Sequence, residues 1–156
     1  MTHEIFDLQD KLTALGQRAL LDNAQKRVDA YYKRIGSAGE SDVILPRKAV
    51  SYDNQGDLLF NRGHLALALT SYQSALTIRE QLTARDPANP EWERDLALSY
   101  TKIGDLQRAL GDLQAALRSY QQGLHIRAQL TMRDPTNSEW QRALAVNHVL
   151  PAERVV

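Results

Sequence analysis

The chain repeats itself every 48 residues. Asp86-Pro87 returns as Asp134-Pro135, Trp92 as Trp140, Tyr72 as Tyr120, Gly56 as Gly104 and Gly63 as Gly111. Laid over one another, residues 47–94 and 95–142 are identical at 26 of 48 positions. A period of this length marks stacked supersecondary units, each unable to bury its own apolar face without a neighbour. Such arrays more often bind other proteins along an extended surface than perform chemistry.

The second copy shows how a unit is built. Asn89 is a suitable N-cap, Pro90 suits the first helical position, and Glu91 places a carboxylate where the helix dipole favours one. Trp92, Leu96, Ser99, Tyr100, Ile103, Leu106 and Leu110 follow at spacings of three and four until Gly111 offers a left-handed stop. This predicts a helix A. Asp112 caps a helix B whose stripe is Leu113, Ala116, Leu117, Tyr120, Leu124, Arg127 and Leu130, ended by Asp134-Pro135. The fold class is all-α, an α-solenoid of antiparallel helix hairpins. Its units are 41–88 and 89–136, with a helical segment over 1–40 and a truncated third unit or capping helix over 137–156.

These residues resemble the tetratricopeptide repeat. Its pattern asks for a bulky residue at position 4, Leu at 7, Gly at 8, Ala at 20, an aromatic at 24 and a small residue at 27. The second copy offers Tyr100, Ile103, Gly104, Ala116, Tyr120 and Gly123, and the first Tyr52, Gln55, Gly56, Ala68, Tyr72 and Ala75. The family repeat is shorter, so the chain is similar to its longer bacterial variants, with both helices extended and an added Asp-Pro…Asn…Glu-Trp junction.

The resemblance implies a right-handed superhelix whose helix A residues line a concave groove. By position these are Val50, Asp53, Asn54, Asp57, Phe60 and Asn61 in the first copy, and Leu98, Thr101, Lys102, Asp105, Arg108 and Ala109 in the second. It implies a non-enzymatic scaffold for a protein or peptide. Family members that grip a C-terminal carboxylate place Lys and Asn where this chain has Asp53 and Asp57, which argues against that ligand. A basic or amide-rich extended segment is expected instead, with Phe60 as its apolar contact.

The ends are less regular. In 1–40, Leu15-Gly16, Val28, Tyr32 and Ile35 fit a shortened, degenerate repeat turning at Asn23. Leu8, Leu12, Leu15, Ala19, Val28 and Tyr31 fit one long helix instead. At the other end a third helix A starts at Asn137, but beside position 152, where the period expects the counterpart of Gly104, stands Pro151, which cannot continue the helix. Val146, Val149 and Leu150 would then leave an apolar patch. That motivates a second reading, a homo-oligomerisation module forming a homodimer.

Nineteen Lys plus Arg balance nineteen Asp plus Glu, so no net field draws the protein to nucleic acid or to an anionic membrane. A helical-repeat RNA binder is the third reading, disfavoured by this neutrality and by the acidic residues interleaved with the repeated arginines. For Arg79, Arg127, Arg85, Arg133, Arg94 and Arg142 that interleaving predicts local ion pairs. Absence of cysteine removes disulfides and thiol chemistry, and a cytoplasmic location is expected. His3, His64, His125 and His148 have no metal-pair spacing, so no metal and no cofactor are expected. Asp53 and Asp57, one turn apart, are read as a solvated acidic patch rather than a catalytic pair. Trp92 and Trp140 share one phase of the repeat and are read as knobs wedged between hairpins rather than as partner contacts.

Overall fold

The computed structural model describes residues 2–34 and 41–145. Among these there is no strand. Five helices run in order: α1 Thr2–Arg34, α2 Ile44–Asn61, α3 Leu65–Arg85, α4 Pro90–Ala109 and α5 Leu113–Arg133. A further helical stretch covers 138–145. α2 with α3 and α4 with α5 are the two hairpins, and α3 packs on α4 to join them. The fold is an α-solenoid of the kind expected.

The hairpin turns follow from their glycines. Gly63 and Gly111 have φ of 79° and 84°, a region open to residues without a Cβ. That bend lets the His64 and Asp112 amides donate back to the Leu59 and Gln107 carbonyls, both at 2.9 Å, closing the helices in a Schellman arrangement. Between units, Asp86 and Asp134 each accept a backbone N–H two residues on. Asn89 then caps α4 by accepting from the Glu91 and Trp92 amides, and Asn137 does the same for Glu139 and Trp140.

Within each hairpin the close approach is made by a glycine and a tyrosine. A Cβ on Gly56 would lie 2.5 Å from the Tyr72 ring, and one on Gly104 2.6 Å from the Tyr120 ring. One core cluster, Leu45, Ala49, Tyr52, Ala75, Ile78 and Leu82, fills the first hairpin. A second, with Leu59, Ala68, Tyr72, Ile103 and Leu106, runs across both hairpins, so the two units share a core and each covers the other.

Trp92 bridges in the same way, half-buried against the first cluster. Trp92→Ala is expected to cost about 2 kcal/mol, below the range for a fully buried large side chain. Urea melts of wild type and variant measure it; a difference near zero would place the indole on the surface.

The turn at Asn23 that a degenerate repeat would need is not formed. Residues 2–34 are one helix, and Asn23 lies inside it. No glycine or proline stands between Gly16 and Gly36, and an interior Asn costs a helix only a few tenths of a kcal/mol, so nothing interrupts it. Nor does Gly16 play the part of Gly56: a Cβ there would meet nothing within 4 Å. Gly16→Ala should therefore stabilise the protein, by about 0.5–1 kcal/mol, seen as a higher urea midpoint at unchanged slope. Val28 of α1 packs on the first cluster, and the Tyr52 hydroxyl donates to Asp29 at 2.9 Å while accepting from Gln25 at 2.6 Å.

Candidate functional site

The groove positions read from the sequence fall on one side of α2 and α4, but they are not equally available. Val50 is 50 % exposed, Leu98 42 % and Phe60 37 %. Asn54, Asn61, Arg108 and Ala109 are exposed, while Thr101, Lys102 and Asp105 are half-buried. The Thr101 hydroxyl donates to the Ala97 carbonyl at 3.2 Å within its own helix.

Asp53 departs from the expectation. It is buried, and its Oδ2 accepts from Arg79 at 2.6 Å, while the other guanidinium nitrogen donates to Ser99 at 2.5 Å. Its carboxylate is thus part of the joint between α2, α3 and α4 and is not presented to a partner. Asp57 stays partly solvated, its side chain 46 % exposed, but it is paired. It accepts from the Tyr72 hydroxyl at 2.6 Å and from Lys102 at 2.9 and 3.0 Å. Partial burial pushes its carboxyl up, but the Tyr72 and Lys102 hydrogen bonds and the ammonium charge outweigh that and hold it below the ordinary value. The acidic patch is therefore two interlocked clasps, with Lys102 also 5.3 Å above the Tyr72 ring.

The second unit repeats half of this. Tyr120 donates to Asp105 at 2.7 Å, as Tyr72 does to Asp57. Tyr100 donates to Glu80 across the hairpins, and its phenol is pushed up to about 12 by burial, then by that bond and the Glu80 charge. Four of the six repeated arginines have described ion pairs, mostly with acids on other elements: Arg79 with Asp53, Arg85 with Asp42, Arg94 with Asp95 and Glu139, and Arg133 with Glu93.

Sequence reasoning missed a pocket of about 450 Å³ lined by Tyr31, Pro46, Arg47, Val50, Ser51 and Asp95. Tyr31 reaches it because α1 does not turn at Asn23. The only signal available was the Tyr31 position in the long-helix alternative. Val146, Val149 and Leu150 lie outside the described residues.

Among the described residues no group of three His, Asp or Glu side chains converges as a metal site. None of their helices is long and apolar enough to cross a membrane. No curated protein and no solved structure matches the chain. Residues 97–129, from the middle of α4 through most of α5, match the family model described as Tetratricopeptide repeat, which supports a tetratricopeptide repeat in the second hairpin.

Proposed function

We propose that the protein is a non-enzymatic interaction scaffold that holds an extended protein segment along a concave α2 and α4 face. The observation that carries this is the row of exposed Val50, Asn54 and Leu98 beside the pocket that Tyr31, Arg47 and Asp95 complete. A partner's apolar side chain fits the pocket, and Asn54, Asn61 and Asp105 offer polar contacts to a basic or amide-rich backbone run. Phe60 extends the apolar contact toward the C-terminal end of α2. Asp57 and Lys102 contribute by fixing the face, since each satisfies the other. Because the side chains are set by packed helices, ordering costs fall on the partner. A cytoplasmic setting accords with the cysteine-free sequence.

The test is selection from a displayed library of random peptides. Selected sequences are expected to be enriched in basic and amide residues around one apolar position. Their binding should drop on Val50→Glu or Leu98→Glu, with the helical circular dichroism signal unchanged. Enrichment of ligands indifferent to both changes would refute the assignment.

A further inference from the structure

Tyr31 does not come alone to the pocket beside Val50. Arg27 stands four residues before it on α1 and Arg34 three residues after, a spacing that sets all three side chains on one face of the helix. Arg47 lines the same pocket from α2. The three arginines are exposed, and none of them has an ion pair among the described residues. The described acid in the pocket lining is Asp95, on the α4 side, and it has Arg94 3.4 Å away. The α1 end of the α2 and α4 face is therefore positive.

The 48-residue period shows that this charge is local. The counterpart of Arg47 is Asp95 in the second unit and Ala143 in the third, and further along the face Lys102 is already clasped by Asp57. The stretch of α1 that carries Arg27 and Arg34 is also the stretch that Gln25, Val28 and Asp29 dock on the first hairpin, so their backbone is held in place. An arginine keeps its charge at every working pH and offers a planar fork of donors that matches a carboxylate. Three of them left to water beside an apolar pocket suit anions placed next to an apolar side chain.

We propose that Arg27, Arg34 and Arg47 receive an acidic stretch of the protein segment whose apolar side chain enters the pocket, resting on the α2 and α4 reading for the place of that anchor. The ligand then has a charge order: carboxylates over α1, the apolar residue against Pro46 and Val50, and the basic or amide-rich run over α2 and α4. The Tyr31 ring, 58 % exposed, gives the acidic stretch an apolar floor between the arginines. Because the two ends of the face differ in sign, the segment can lie in one direction only. A nucleic acid fits less well, since phosphates beyond the pocket would meet Asp95 and Leu98 where a continuous backbone needs further cations.

The probe is a fluorescein-labelled peptide of three glutamates, a leucine and then alternating asparagine and lysine; its counterpart carries glutamine for each glutamate. Anisotropy at low salt is expected to show the glutamate peptide binding about tenfold more tightly, a margin that added salt reduces. Arg27→Gln, Arg34→Gln and Arg47→Gln should each cut the margin about twofold, as for other exposed pairs. The triple variant should erase it, with the helical circular dichroism signal unchanged. No binding of the glutamate peptide, equal binding of the two peptides, or a preference that the triple variant retains overturns the proposal. So does binding of oligothymidylate with the same dependence on the arginines, which would make the surface a nucleic-acid seat. Leu98→Glu, away from the pocket, tells the two surfaces apart. Equal binding of both peptides that Leu98→Glu weakens removes the acidic stretch and leaves the groove, whereas an arginine-dependent preference indifferent to Leu98→Glu keeps the arginine seat and removes the groove.

Discussion

Asp53→Ala should destabilise the protein by about 3–5 kcal/mol, the cost of stranding a buried charge. Arg79 is 5 % exposed, and Asp53 is its acidic partner, leaving Ser99 as a neutral acceptor. Removing the carboxylate leaves a guanidinium that can neither reach water nor lose its proton. The double variant Asp53→Ala/Arg79→Met should recover most of the loss, because a buried pair exchanged for apolar side chains is often neutral. Urea denaturation of the two single variants and the double closes the cycle. A loss under about 1 kcal/mol for Asp53→Ala would mean that the pair is solvated.

Gly104→Val is expected to cost about 3 kcal/mol, at the upper end of overpacking effects. The added Cβ falls 2.6 Å from the Tyr120 ring. That ring is 4 % exposed, and its hydroxyl is held by Asp105, so it has nowhere to swing. Helix propensity opposes the effect by only a few tenths of a kcal/mol, since Val ranks modestly above Gly. Tyr120→Leu in the same background should relieve the clash. Thermal melts of the two variants distinguish this from a general intolerance of α4 to β-branching, which Tyr120→Leu would leave unchanged.

The hairpins were legible because their signals are local. Pro90 begins α4 and Asn89 caps it, Gly111 takes positive φ, and Gly104 lies under Tyr120, all within the range of a helix or a turn. Asp53 was misplaced because its partner is 26 residues away on another helix. Its repeat counterpart Thr101 is half-buried and bonded only along its own helix, so the period gave no hint of a buried ion pair. The N-terminal segment divides on the same line. Asn23 is tolerated equally by a turn and by a helix interior, and only the docking of Val28 and Asp29 on α2 and α3 shows which is used. The pocket beside Val50 takes Tyr31 from that docking, which is why this wall of it was out of reach.

α1 is built differently from the hairpins that follow it. α3 and α4 are each packed against more than one helix, whereas α1 is held through Gln25, Val28 and Asp29 near its C-terminal end and its described side chains over 15–23 are largely exposed. Local stability should follow this gradient, because amides open by the least costly route available to them. In native-state deuterium exchange, the backbone of α3 and α4 is expected to exchange only through global unfolding. Residues 15–23 should exchange far sooner, through fraying that leaves the rest of the molecule intact. The protein would then behave as a cooperative four-helix foldon carrying a helix that dissociates and reforms independently, and uniform protection along α1 would show instead that it belongs to the same cooperative unit.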